Sequence, residues 1–215
     1  MIFDLDGTLI DSEPVFNAVA KRAALEFDKC FTDELYLGLI GLPGAEVEQG
    51  ILDAFGQNFP LADFRQCFAA HWGEYVEQHG IAVKPGVVDL VDRLDDLPIP
   101  YAIATSTHHD RAILSLELAG LRSRFKFVIG GDQIANGKPA PDIYLKAAKS
   151  ITTEATHCIA IEDSKVGVGA AAAANMYTIM IPDLKAPDAQ TRELATEVLP
   201  SMTITMERVL SLLDG

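Results

Sequence analysis

The chain has 215 residues, of which 49% are hydrophobic and 22% are charged, and its formal net charge is −14. This composition is typical of one compact globular domain, or of a domain that carries a smaller insertion, with ample material for a core. The strongly acidic charge argues against general binding to nucleic acid or to an anionic membrane surface.

The three cysteines indicate neither a disulfide framework nor a zinc site. Cys30, Cys67 and Cys158 are widely spaced and odd in number, and they lack the short ligand spacings of metal motifs. No apolar run is long enough to span a bilayer, and the N-terminal residues do not have the pattern of a signal peptide. We therefore predict reduced thiols and a cytoplasmic protein without a membrane partner.

The chain opens with a short apolar run, Ile2-Phe3, which predicts the end of a buried strand. Asp4 and Asp6 fall where this strand would end, and Gly7 allows the backbone to turn. Two ionised carboxylates this close repel each other unless a positive charge lies between them. Because Mg²⁺ takes oxygen ligands and often binds carboxylates together with substrate phosphate, the pattern suggests a magnesium and phosphate site. A solvated turn with two exposed acids is the alternative.

The segment from Glu13 to Gly80 has helical patterning and no alternating strand-like run. A capping residue and a proline in Asp11-Ser12-Glu13-Pro14 predict the start of the first helix. Helices are predicted over residues 14–27, 32–39, 43–55 and 61–79. We interpret residues 13–80 as a helical domain inserted into a core domain, which comprises residues 1–12 and 81–215.

From Val83 onward, helices and strands alternate. Strands are predicted over residues 101–104, 127–130, 158–161 and 177–181. Helices are predicted over residues 87–97, 110–119, 142–150, 164–174, 191–198 and 206–213. Because the strands are apolar on both faces, we predict an α/β fold with a Rossmann-like, doubly wound parallel sheet that is covered by helices.

Polar side chains collect where the predicted strands end, together with one lysine in a loop before a helix. Ligands of open parallel sheets bind beyond the carboxyl ends of the strands, so we expect these side chains to form one site. The set is Asp4, Asp6, Thr105, Ser106, Lys138, Glu162 and Asp163.

Such a set suits phosphoryl transfer through a covalent aspartyl phosphate, in which a carboxylate attacks phosphorus and water later hydrolyses the intermediate. Since the phosphoryl group and the acids are all negative, a divalent cation and a lysine are needed to hold them together. Lys138 and Mg²⁺ would fill these roles. Thr105 and the backbone N–H groups near Ser106 and Thr107 would hold phosphate oxygens at the start of the next helix.

The order and spacing of four motifs resemble those of the haloacid dehalogenase superfamily of phosphohydrolases. The motifs are Asp4-Leu-Asp-Gly-Thr8, Thr105, Lys138 and Glu162-Asp163. The resemblance implies that Asp4 is the nucleophile and that Asp6 is the general acid/base. It further implies that Asp4, the backbone carbonyl of Asp6, and Asp163 bind Mg²⁺, with Glu162 in or beside the metal shell. The second acid excludes the dehalogenase branch of the superfamily.

Within the superfamily, the chain most resembles subfamily I, which includes small-phosphoester phosphatases and β-phosphoglucomutase. The resemblance implies that the helical insert is a type 1 cap, that the protein is a monomer, and that its substrate is a sugar phosphate, a nucleotide or phosphoglycolate. Phe16 and Gly44 stand where the mutase has a cap histidine and a cap arginine, which favours hydrolysis over the mutase alternative. A non-catalytic phosphate-binding or partner-binding module of the same fold is an alternative from a different class.

Conspicuous side chains on the last helix of the insert have simpler explanations. Trp72 and Tyr75 are three residues apart and are expected in the core of the helical domain. His71 and His79, on the same helix, are expected to be solvated.

Overall fold

The computed structural model describes residues 1–42 and 44–213, so the predicted helix start at Pro43 lies outside the described residues. Two units emerge from the internal contacts of the chain. One consists of Met1–Asp11 and Ala82–Gly215, and the other consists of Ser12–Ile81. Among the described residues, no helix has both the length and the apolar character that crossing a membrane requires.

The discontinuous unit is built on a parallel sheet. The strands of the described chain are β1 (Ile2–Phe3), β2 (Ile10–Asp11), β3 (Ala82–Val83), β4 (Ala102–Ala104), β5 (Val128–Ile129), β6 (Ile159–Glu162), β7 (Tyr177–Met180) and β8 (Glu197–Val198). Six of them form one sheet in the order β5-β4-β1-β6-β7-β8, and every neighbouring pair is parallel. Because the chain moves outward from β1 in one direction and then in the other, β1 lies at a topological switch point. This topology confirms the predicted α/β fold with a doubly wound parallel sheet.

The central strand β1 is buried on both faces, which explains why it is apolar throughout. Ile2 and Phe3 have no exposed surface, and Phe3 pairs with Ile103 of β4 on one side and with Ile161 of β6 on the other. The ladder continues one residue further, because the backbone N–H of Asp4 donates to the carbonyl of Ile161 at 2.9 Å. The first acidic side chain of the chain is therefore fixed at the carboxyl end of the central strand.

Among the described residues, six α-helices belong to the same unit. They are α5 (Val87–Asp95), α6 (His109–Leu118), α7 (Asp142–Ser150), α8 (Lys165–Ala173), α9 (Ala189–Leu194) and α10 (Met202–Leu213). One core cluster joins buried residues of α7 and α8 to apolar residues of β1, β4 and β6. Its small members Ala170, Ala171 and Ala174 are 0–4% exposed, so the alanine run of α8 allows close packing on the sheet.

The helices of Ser12–Ile81 are α1 (Glu13–Leu25), α2 (Asp33–Leu39), α3 (Gly44–Phe55) and α4 (Leu61–His79). Their core is rich in phenylalanine, and Phe59 makes edge-to-face contacts with Phe27, Phe55 and Phe64. Trp72 is buried, as expected. The expectation that His71 is solvated is wrong, because the residue is only 8% exposed and its ring pairs with Glu26, which follows α1.

The structure differs from the sequence predictions for strands and helices in four places. The antiparallel pair β2 and β3, where the chain enters and leaves Ser12–Ile81, was not predicted, because only the pairing of these two distant segments distinguishes them from loops. Residues 197–198 were predicted as helix but form β8, whose pairing with β7 outweighs local propensity. The last helix begins at Met202, four residues before the predicted start at Met206, and β6 includes Glu162, which was predicted to follow the strand.

Replacing Phe125 by alanine should lower the free energy of unfolding by about 3–5 kcal/mol, the usual cost of emptying a buried aromatic position. Phe125 has no exposed surface, and its ring meets Phe3 and Tyr101 edge to face at 5.9 and 5.3 Å between centroids. Denaturant unfolding measures the loss. Leu184→Ala is the control, because Leu184 is 52% exposed and surface changes stay within about 0.5 kcal/mol. Equal losses in the two variants would contradict this packing.

Candidate active site

Asp4 and Lys138 form an ion pair at the carboxyl end of the central strand. The Nζ atom of Lys138 lies 2.5 Å from Oδ1 of Asp4 and 2.6 Å from Oε1 of Glu162. The exposed fractions of these residues are 7% for Asp4, 8% for Lys138 and 0% for Glu162. Lys138 comes from the loop before α7, so residues from three distant parts of the chain meet in one buried polar cluster.

Both carboxylate oxygens of Glu162 accept hydrogen bonds from the protein. Oε1 accepts from Lys138 and from the hydroxyl of Tyr144, the latter at 3.0 Å. Oε2 accepts from the backbone N–H groups of Asp163 and Ser164 and from the hydroxyl of Ser164, each at 3.0 Å. This arrangement holds Lys138 in place and fixes the start of α8, and it directs both oxygens of Glu162 to protein donors.

Gly167, in the first turn of α8, makes room for the Glu162 carboxylate. A Cβ atom at this position would lie 1.6 Å from Oε1 of Glu162, a distance that no side chain could accommodate without moving the carboxylate. The N–H of Gly167 donates to Oγ of Ser164 at 3.1 Å, which caps the helix. Glycine is therefore required here for close approach.

Asp163 lies beside this cluster and is held by the turn that follows β1. Oγ1 of Thr8 donates to Oδ1 of Asp163 at 3.0 Å. Gly7 has a φ of +82°, and a Cβ atom there would lie 2.5 Å from Oδ2 of Asp163. Carboxylate oxygens of Asp4, Glu162 and Asp163 lie within 4.8 Å of one another, a spacing that could hold a metal ion.

Burial dominates the electrostatics of these acids. It raises the pKa of Asp4 to about 8, with Lys138 acting in the opposite direction and Glu162 adding to the rise. Burial, followed by the charges of Glu162 and Asp4, also raises the pKa of Asp163 well above its usual value. For Lys138, burial alone would lower the pKa, but the carboxylates of Asp4 and Glu162 raise it above the ordinary value. The charged forms of the acids therefore need more positive charge than one lysine provides.

The donor set fits a hard divalent cation. Three carboxylates lie close together and one ammonium group pairs with two of them, so two negative charges are not balanced by Lys138 when all the groups are ionised. Closely spaced carboxylate oxygens are the ligands that Mg²⁺ prefers over softer nitrogen or sulfur donors. Since Glu162 already accepts five protein hydrogen bonds, Asp4 and Asp163 are the better ligands.

Asp6 occupies a different environment from Asp4. Its side chain is half-buried, and Oδ2 accepts from the hydroxyl of Thr107 at 2.7 Å, while the hydroxyl of Thr105 lies 3.5 Å away. The backbone N–H of Thr107 donates to Oγ1 of Thr105 at 3.0 Å. Asp6 is therefore oriented by hydroxyl groups at the end of β4 and remains partly accessible to solvent.

The structure brings together nearly all of the residues that the sequence motifs suggested. Ser106 is the exception, since its side chain is exposed and no described hydrogen bond links it to the acids. Two other side chains at the site were missed. Tyr144 was missed because, in the sequence, a tyrosine within a helix does not differ from a core residue. For Thr107, which follows Thr105 by two positions, only the backbone N–H group was predicted to contribute, and not the hydroxyl.

Comparison with known proteins supports the same assignment. The family model for haloacid dehalogenase-like hydrolases matches residues 1–181. The chain is 31% identical over 179 residues to the phosphorylated carbohydrates phosphatase of Thermotoga maritima, covering 83% of this chain and 82% of that protein. It is 28% identical over 187 residues to the fructose-1-phosphate phosphatase YqaB of Escherichia coli, covering 83% and 94% of the two chains.

Solved structures agree with these relatives. CbbY from Rhodobacter sphaeroides, in complex with xylulose-1,5-bisphosphate, matches with a TM-score of 0.78 and 25% identity, covering 94% of this chain and 93% of that one. The comparisons confirm the predicted superfamily and the predicted enzyme class, a phosphatase. The chain belongs to the haloacid dehalogenase-like hydrolase family.

Proposed function

We propose that the chain is a Mg²⁺-dependent phosphomonoester hydrolase that acts on a small phosphorylated metabolite, with phosphosugars the first class to test, through an aspartyl-phosphate intermediate. The observation that carries the proposal is the Asp4 carboxylate, held 2.5 Å from Lys138 at the end of the central strand and close to Asp163. The phosphosugar class is supported by two relatives, which are phosphatases of phosphorylated carbohydrates and of fructose 1-phosphate.

In the first step, a carboxylate oxygen of Asp4 attacks the phosphorus atom, and the bond between phosphorus and the leaving oxygen breaks. Asp6, in its protonated form, donates a proton to that oxygen, so an alcohol departs. In the second step, Asp6 accepts a proton from water as the water attacks phosphorus. The bond between phosphorus and Asp4 then breaks, which releases phosphate and restores the free carboxylate.

The other residues control charge and position. Lys138 would contact the transferring phosphoryl group from its place beside Asp4, and Thr105 and the N–H groups of the following loop would bind phosphate oxygens. Thr107 would orient Asp6 toward the leaving oxygen. Asp4, the backbone carbonyl of Asp6, and Asp163 would hold Mg²⁺, with Glu162 beside them. When bound, Mg²⁺ supplies charge neutralisation for the phosphoryl oxygens.

Hydrolysis is favoured over the phosphosugar mutase alternative by two positions in Ser12–Ile81. Phe16 stacks on Phe68 with 6.1 Å between ring centroids, and Gly44 has no side chain, so neither offers a polar group to a second phosphate. The non-catalytic alternative is disfavoured because both Asp4 and Asp6 are present. We retain the interpretation of Ser12–Ile81 as the cap as part of this proposal.

Asp4→Asn keeps the size of the side chain but removes the nucleophilic charge, so Mg²⁺-dependent phosphate release should fall by more than about 10³-fold. Asp6→Asn removes the proton donor and should cost about 10² to 10⁴-fold. The assay is phosphate release from a panel of phosphosugars, nucleotides and phosphoglycolate, with and without a chelator. Asp89→Asn, an exposed acid on α5, is the control and should match the wild type.

The same assay separates the competing functions. A mutase would convert a phosphosugar into its isomer with little release of phosphate, so the products are also identified by chromatography. A wild-type protein that turns over no phosphoester in the presence of Mg²⁺ would leave only the non-catalytic module. Full activity in Asp4→Asn would rule out the aspartyl-phosphate mechanism.

Gly167→Ala should lower kcat by about 10²-fold, a typical effect of misplacing a catalytic group by about 1 Å. The added methyl group must displace the Glu162 carboxylate, which lies 1.6 Å from the position of the new Cβ atom, and Lys138 moves with it. Gly73→Ala places a methyl group in open space on helix α4 and should leave kcat unchanged. Circular dichroism checks that both variants fold. If the Gly167→Ala variant folds and keeps the wild-type kcat, Glu162 does not position Lys138 for catalysis.

A further inference from the structure

Three side chains of types that bind metal ions meet in the helical unit Ser12–Ile81. None of them belongs to the proposed phosphatase site, and they include sulfur and nitrogen donors, which the carboxylates of that site do not offer. Cys67 and His71 are four residues apart on α4 and therefore lie on one face of that helix. Glu26 caps the C-terminus of α1. One ligand atom from each of these residues, a sulfur, a nitrogen and an oxygen, lies within 4.8 Å of the other two.

The histidine has the surroundings of a metal ligand. His71 is 8% exposed, and its Nε2 atom lies 2.5 Å from Oε1 of Glu26. Nδ1 is buried without a hydrogen bond, and Oε2 of Glu74 lies 3.5 Å away. Arg22 holds that Glu74 oxygen at 2.9 Å. Metal-bound histidines usually direct the second ring nitrogen toward a carboxylate, and Glu74 is positioned for this role.

Cys67 and Glu26 share a hydrogen bond that favours a protonated thiol and an ionised carboxylate. Burial, assisted by a hydrogen bond to Glu26, raises the pKa of the Cys67 thiol. Hydrogen bonds from His71 and then from Cys67 lower the pKa of Glu26. At neutral pH the cluster therefore contains a carboxylate and a thiol, and a metal ion that binds sulfur would displace the thiol proton.

An ion could reach the cluster from solvent. Glu26, Cys67 and His71 line an open depression of about 330 Å³. Asp63, one turn before Cys67 on α4, lines the same depression and brings a further carboxylate to its wall. The cluster thus offers three ligands of different types, with room for water or Asp63 at a fourth position.

We propose that Glu26, Cys67 and His71 form a second metal site, specific for borderline-soft divalent ions of the Zn²⁺ class. A mixed set of sulfur, nitrogen and oxygen ligands suits such ions, whereas Mg²⁺ prefers oxygen ligands alone. A bound ion would join the end of α1 to the middle of α4 and would stabilise the helical unit. This site is separate from the proposed catalytic site, so either could fail without the other.

The test uses Cd²⁺ as a spectroscopic probe of thiolate coordination, in the presence of excess Mg²⁺ to occupy the catalytic acids. Wild type should develop a thiolate-to-cadmium absorption band that saturates at one ion per chain, with release of a proton. Cys67→Ser and Cys67→Ala should lose the band. Cys30→Ser, which changes an exposed cysteine of the same unit, should keep it. His71→Asn should weaken Cd²⁺ binding by about 10-fold or more.

Thermal unfolding gives a second readout that does not depend on the spectrum. Zn²⁺ should raise the Tm of wild type and of Cys30→Ser, but not the Tm of either Cys67 variant. A wild-type protein without a thiolate band at millimolar Cd²⁺ would overturn the proposal, and so would an unchanged band in Cys67→Ala. In either case the three side chains would form only a hydrogen-bonded cluster.

Discussion

The proposed active site depends on one imbalance of charge. Three buried or half-buried carboxylates lie close together, and the Lys138 ammonium group pairs with two of them, Asp4 and Glu162. Burial, followed by the charges of neighbouring carboxylates, raises the pKa values of Asp4 and Asp163. Hydrogen bonds hold these groups in place, because Glu162 accepts from Lys138 and Thr8 donates to Asp163. What remains is an oxygen-lined position suited to a divalent cation.

The sheet topology brings the charged residues of this site together. Asp4, Lys138 and Asp163 are far apart in sequence, yet the switch point at β1 brings the ends of β1 and β6 side by side. Close approach then requires glycine at two positions. Gly7 passes beside Asp163, and Gly167 passes beside Glu162, each with no room for a Cβ atom. The geometry of the proposed site therefore depends on these two glycines as well as on the acidic side chains.

The sequence was sufficient for the fold class and for the main polar cluster, because apolar strand runs and polar strand ends are strong local signals. It was insufficient where tertiary contacts decide. The strands β2, β3 and β8 have two residues each, and only their pairing with other strands distinguishes them from loops or helix ends. Tyr144 and Thr107 acquire their roles only from partners distant in sequence, Glu162 and Asp6. The burial of His71 likewise depends on Glu26, 45 residues earlier in the chain.

We propose that a cation offsets the negative charges of Asp4 and Asp163. The most direct test is a crystal structure with Mn²⁺ in place of Mg²⁺, in which an anomalous difference map locates the bound ion. We expect one strong peak within coordination distance of the Asp4 and Asp163 carboxylates, with Glu162 still bound to Lys138. The absence of a peak at saturating Mn²⁺, or a peak on Glu162 with Lys138 displaced, would contradict the account.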